Sequence, residues 1–111
     1  MSLSIVIPHF NKPDLLEKLL ASIPQDKNDI QTIVVDDQSE TLYLDSVKQL
    51  KSKYNFELYE NNIKKSAGLC RNIGLQKAKN TWIIFADGDD YFKDGFYEKV
   101  SKYFHKKIDV V

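Results

Sequence analysis

The sequence predicts an α/β fold: a Rossmann-like, mostly parallel sheet with helices on both faces. Short apolar, β-branched segments alternate with segments of helical spacing along the chain. The strand segments are apolar throughout rather than at every second residue, which is the pattern of strands covered on both faces. Strict alternation of strand and helix then gives parallel neighbours joined by right-handed crossovers.

Leu3 to Ile7 is short, apolar and β-branched, and Pro8 is expected to stop it as the first strand. Asn11-Lys12-Pro13-Asp14 opens a helix, because proline suits the first helical turn and asparagine or aspartate can cap it. Leu15, Leu16, Leu19, Leu20 and Ile23 recur at helical spacing, and Pro24 closes the segment. Ile30 to Val35 is the second strand and runs into Asp36-Asp37-Gln38-Ser39. Thr41 to Tyr54 is the second helix, with Leu44, Val47, Leu50 and Tyr54 on one face. Phe56 to Tyr59 is a short third strand. Ser66 caps a third helix that ends near Ala78, and Ala67, Cys70, Gly74 and Ala78 give it a stripe of small residues suited to close contact with a sheet. Trp82 to Ala86 is the fourth strand, expected to be buried, and Lys93 to Phe104 is a fourth helix. Ile108-Asp109-Val110-Val111 reads as the beginning of a fifth strand. Residues 1–111 are therefore read as a single domain, the N-terminal part of a longer protein.

Composition excludes several classes of function. The formal net charge is zero, so nothing in the total points to nucleic acid or to an anionic membrane. A single cysteine, Cys70, precludes an internal disulfide and suits a reducing, cytoplasmic compartment. Ile5-Val6-Ile7 is too short for a signal peptide or a membrane span.

In open parallel sheets ligands bind beyond the carboxyl ends of the strands. The unusual polar residues of this chain collect at those ends. The first strand exits at Pro8-His9-Phe10-Asn11, the second at Asp36-Asp37, and the fourth at Asp87-Gly88-Asp89-Asp90. A turn accounts for Asp and Gly as such. Three carboxylates within four residues repel one another, however, and a divalent metal would relieve the repulsion. Mg²⁺ and Mn²⁺ take oxygen ligands and keep waters or phosphates in their shell, so one or two carboxylates plus a diphosphate suffice. Asp36-Asp37 is either a solvated helix cap or an acceptor for a base N–H or a ribose hydroxyl. Arg71, the chain's sole arginine, is either a surface residue or a planar fork for phosphate or a base edge. His9 carries little signal beyond a contact at the rim, and Cys70 reads as a small packing residue.

Together these segments resemble the nucleotide-binding half of family 2 glycosyltransferases, which have the GT-A fold. The resemblance rests on Ser4-Ile5-Val6-Ile7-Pro8-His9-Phe10-Asn11, Ile33-Val34-Val35-Asp36-Asp37-Gln38-Ser39, Arg71-Asn72-Ile73-Gly74-Leu75 and Phe85-Ala86-Asp87-Gly88-Asp89-Asp90, in that order. The last is the counterpart of the family's DxD element. The resemblance implies a nucleoside-diphosphate sugar donor, usually a UDP-sugar, a glycan or lipid-linked acceptor, and Mn²⁺ or Mg²⁺ as cofactor. Pro8 and Phe10 would wall the nucleoside. Asp37 would bond the base, Asp36 would support ribose contacts, and Arg71 would face the base or the diphosphate. Gly88 would lie within the donor site, Asp87 would meet ribose or metal-bound water, and Asp89 would coordinate the metal. The transfer would go to an acceptor hydroxyl with inversion, and the base for that step is expected beyond residue 111.

Some positions depart from the family pattern. Ser66 stands where glycine is frequent, Cys70 where alanine is frequent, and Gln38 where glycine or asparagine is common. Two other classes share part of the pattern. A response-regulator receiver also has acidic residues after strands, but it places its acidic pair after the first strand. A haloacid-dehalogenase-type phosphatase needs threonine or valine where Tyr91 stands.

Overall fold

The computed structural model describes residues 2–24 and 28–87. The expected fourth helix, the beginning of a fifth strand, and Gly88, Asp89 and Asp90 lie outside the described residues.

Strands β1 (Leu3–His9), β2 (Ile30–Asp36), β3 (Glu57–Glu60) and β4 (Trp82–Phe85) form one sheet in the order β3-β2-β1-β4. Every pairing is parallel. Helices α1 (Pro13–Ser22) and α2 (Thr41–Leu50) lie on one face, and α3 (Ala67–Lys77) covers the other. The alternation of side chains along a strand divides the core accordingly. Leu3, Ile5, Ile7 and Val34 pack with Leu16, Leu19, Leu20 and Val47. Val6, Ile33 and Val35 pack with Cys70 on the opposite side. Each fully buried leucine or isoleucine contributes about 1.5–3 kcal/mol, so the sheet is anchored mainly from the α1–α2 side.

The chain winds outward from β1 through β2 to β3, then returns to the other side of β1 as β4. The order therefore reverses between β1 and β4, which is where open α/β sheets form a crevice at their carboxyl ends. The order also removes the receiver alternative, whose sheet runs 2-1-3-4-5.

Pro8 does not stop the first strand. β1 continues to His9 and stays in register with β2, Pro8 opposite Val35 and His9 opposite Asp36. The carbonyl of His9 accepts from Asp37 N–H at 2.8 Å, so the backbone of His9 faces β2 and that of Pro8 faces β4. The missing N–H of proline thus falls on the β4 side. There the pairing already ends at Val6 with Phe85 and the Ala86 N–H to Val6 carbonyl bond of 3.0 Å.

Other expectations shift for local reasons. Pro13 occupies the first turn of α1 as expected, but neither Asn11 nor Asp14 caps that helix; Lys12 is the N-cap, with no side-chain bond. Asn11 takes a left-handed conformation, φ 52°, and its Oδ1 accepts from the N–H of Glu40, the N-cap of α2. The α2 helix stops at Leu50, and Tyr54 follows in a turn. Ser66 caps α3, accepting from Leu69 N–H at 3.3 Å. β4 is not enclosed as its apolar run suggests. It lies at the edge of the sheet among the described residues, and Phe85 is 46% exposed.

Candidate functional site

Asp36 and Asp37 are adjacent, yet they serve opposite faces of the sheet. Asp36 is the last residue of β2 and points to the α1–α2 side, where the register sets it beside His9. Its Oδ1 lies 2.9 Å from His9 Nδ1 and 2.6 Å from Ser39 Oγ, and its Oδ2 accepts from Ser39 N–H at 2.9 Å. On its far side His9 Nε2 accepts the N–H of Lys12 at 3.0 Å. That bond needs a lone pair on Nε2, so the ring proton sits on Nδ1 and is donated to Asp36. Ser39 Oγ in turn accepts from Asn11 N–H at 2.9 Å. Burial opposes the charge on Asp36, but the bonds from His9 and Ser39 outweigh it and hold the carboxyl below its ordinary value. With 1% exposure and both oxygens engaged, Asp36 ties the loop after β1 to the loop after β2.

Asp37 turns toward α3. Its Oδ1 accepts from Asn61 Nδ2 and from Ser66 N–H, each at 3.0 Å. The carboxylate therefore sits at the positive end of an 11-residue helix. Cys70, one turn further along α3, is buried beside it. Burial, then the charge of Asp37 and a hydrogen bond to it, push the thiol up to about 12. Such a cysteine is a packing residue, as its sequence context suggests.

Arg71 follows Cys70 and reaches across the crevice. Its Nη2 lies 3.3 Å from Oδ1 of Asp87, just past the end of β4. Both side chains remain open to solvent, at 41% and 64% exposure. Phe10 is part-exposed on the same rim, and the ammonium of Lys65 sits 3.5 Å from its ring centroid. Pro8 is half-buried at the mouth of the crevice.

The structure thus brings Pro8, Phe10, Asp36, Asp37, Arg71 and Asp87 to the carboxyl rim, with Arg71 and Asp87 in direct contact. Gly88 and Asp89 lie outside the described residues. Sequence reasoning missed Asn61 and undervalued His9, Ser39 and Lys65. Asn61 stands immediately after β3, so applying the rim rule to the third strand as well would have found it. A cavity of about 300 Å³ between Ser2, Gln31, Glu57 and Asn80 opens at the amino ends of the strands, away from these residues.

The family model for "Glycosyl transferase family 2" matches residues 4–111. The chain belongs to that family. A relative, poly(ribitol-phosphate) beta-glucosyltransferase of Bacillus spizizenii, is 38% identical over 96 residues, 82% of this chain and 15% of that protein. The chain therefore spans less than a fifth of that relative's length. The crystal structure of Staphylococcus aureus TarS in complex with UDP superposes with a TM-score of 0.80 over 96% of this chain and 32% of that one, at 24% identity. A mannosyltransferase from Pyrobaculum calidifontis, in complex with GDP-Man and Mn²⁺, gives 0.70 over 81% of this chain and 28% of that one, at 20% identity. These likenesses establish the GT-A type of fold for this family 2 chain, as its four segments of resemblance imply.

Proposed function

We propose that this chain is the donor-binding part of a glycosyltransferase that moves a sugar from a nucleoside diphosphate, with UDP the favoured nucleotide, to an acceptor hydroxyl with inversion. The observation that carries the reading is the meeting of Arg71 and Asp87 over the crevice where the strand order reverses, with Asp37 fixed on the same rim. The UDP of the TarS complex and the glycosyltransferase names of the relatives support it.

The residues at the crevice fit the parts of a donor site. Phe10 offers an aromatic face and Pro8 a rigid wall for a nucleoside. The carboxylate of Asp37, its Oδ1 occupied, offers Oδ2 to a base N–H. Asp36, buried and fully bonded, supports a ribose by holding the loop that carries Asn11 and the turn at Ser39. Arg71 offers a planar fork to a base edge or a diphosphate. Asp87 is an exposed oxygen donor of the kind a hard divalent cation takes, and such cations complete their shell with waters and phosphates. Asp87 and Asp89 would together hold Mn²⁺ or Mg²⁺. Bound there, the ion supplies positive charge for the departing diphosphate. The acceptor, a glycan or a lipid-linked sugar, and the carboxylate base that deprotonates its hydroxyl belong to the part of the protein beyond residue 111.

Calorimetric titration of UDP with and without Mn²⁺ tests the proposal. UDP should bind more tightly with the metal, and Asp89→Ala should abolish the difference. Arg71→Ala should weaken binding by about 10–100-fold, the worth of a charge-assisted hydrogen bond. Its effect on stability should stay under about 1 kcal/mol, because the ion pair is exposed. Equal binding with and without metal, or an Asp89→Ala variant indistinguishable from the parent, would sink the reading.

A further inference from the structure

The side chain of Asn61 is completely buried, and all its polar groups converge on the rim. Its Nδ2 donates to Asp37 Oδ1 at 3.0 Å and to the carbonyl of Lys64 at 2.8 Å. Its Oδ1 accepts from Ile63 N–H at 3.2 Å, and its own N–H donates to the Asp36 carbonyl at 2.8 Å. The amide has one admissible orientation. Turned over, its oxygen would face a carboxylate and a carbonyl, and its NH₂ would face an N–H. Asn61 and Ser66 N–H thus place two donors on the same oxygen of Asp37, which restrains the rotation of that carboxylate; reading Asp37 as the base contact then assigns Oδ2 to the ligand.

We infer that Asn61 is a positioning residue for base selection, acting through Asp37; the inference rests on reading Asp37 as the contact to the base. A carboxylate oxygen only accepts hydrogen bonds, so a fixed Oδ2 favours a base whose ring edge carries an N–H, as uracil does. It disfavours cytosine, whose corresponding ring nitrogen is itself an acceptor. Selection of this kind requires the carboxylate to be held, and Asn61 holds it together with the Ser66 N–H.

The arrangement makes an unusual variant informative. In Asp37→Asn the amide oxygen must meet the two donors from Asn61 and Ser66, so the NH₂ is left facing the ligand. The acceptor that a base meets becomes a donor without a change of shape. Affinities for UDP and CDP are measured by calorimetry on the parent protein, Asp37→Asn, Asn61→Ala and the double variant, with melting temperatures to confirm folding. The parent should prefer UDP, and Asp37→Asn should raise the CDP-to-UDP affinity ratio at least tenfold. In the Asn61→Ala background the same substitution should shift the ratio less, because the Ser66 N–H alone then orients the amide. A merely structural asparagine would weaken both nucleotides equally and leave the shift intact, which would overturn the inference while leaving the donor site standing. A parent protein that binds neither nucleotide removes the site and the inference together.

Discussion

Gly74 offers the sharpest quantitative test of how α3 is seated. A Cβ at this position would lie 2.2 Å from Val6 Cγ1, 3.1 Å from Cγ2 and 3.2 Å from Cβ. Carbon atoms rest at about 3.5–4.0 Å, so the nearest contact overlaps by more than an ångström. Rotating Val6 relieves the contact only in part, because two methyls share three staggered positions and at least one stays on the side of Gly74. Val6 itself is held in β1, paired with β2 on one side and β4 on the other. The helix must therefore lift from the sheet and loosen the cluster of Val6, Ile33, Val35 and Cys70. Overpacking of this kind costs about 1–3 kcal/mol, and the severity of the overlap puts Gly74→Ala at the upper end. Replacing glycine inside a helix returns about 1 kcal/mol. The expected net loss is about 1–2 kcal/mol in urea unfolding, with an unchanged m-value. In a Val6→Ala background both γ-methyls are gone and Gly74→Ala should be close to neutral. A Gly74→Ala protein as stable as its parent would refute the close seating. Lifting α3 also draws Ser66 N–H away from Asp37, so UDP affinity should fall with stability.

Three further outcomes follow from the site's wiring. Gln38 is held at φ 62°, a region costly for most side chains and tolerated by asparagine, so Gln38→Asn should stabilise the protein by about 0.5–1 kcal/mol in urea unfolding; an unchanged midpoint would show that the loop carries no strain there. Asp36 has a depressed folded-state value, so its contribution is complete above the ordinary 3.8 and is lost as pH falls through the lower folded value. Asp36→Asn should lower stability at neutral pH by about 1.5–3 kcal/mol and flatten the acid limb of the pH–stability curve, whereas parallel limbs in parent and variant would contradict the assigned bonds. Cys70, pushed up to about 12, should resist thiol reagents at about pH 8, where an ordinary cysteine is partly thiolate, until the protein is unfolded; labelling of the native protein at the rate of a free thiol would argue against its burial.

The fold was legible because it is written in periodicity. Apolar runs at Leu3–Ile7 and Ile30–Val35, and leucines at helical spacing after Pro13, specify their elements with little help from the rest of the chain. The small-residue stripe of α3 likewise announced close contact, and Gly74 is where it occurs. What escaped was decided by partners distant in sequence. Pro8 reads locally as a stop, yet a parallel strand shows its N–H groups alternately to two neighbours, and the missing one falls where β4 has already ended. His9 carries no local signal; its role follows from the register that sets it opposite Asp36, 27 residues away. Asn11 has the composition of a cap, yet its side chain accepts from the N–H of Glu40, just ahead of the neighbouring helix. Gln38 stood out only as a departure from the family pattern, and its left-handed backbone explains why glycine or asparagine is common there.

The ring of Pro8 has one more consequence. Were another residue in its place, its N–H could continue the ladder toward Ala86 and hold β4 closer to β1 at that point. Proline cannot donate that bond, so the parting of β1 and β4 beyond Val6 and Phe85 is favoured by covalent structure. A donor of the kind proposed above would then enter a crevice already parted at Pro8, with part of the ordering cost that often erodes affinity met when the chain folds.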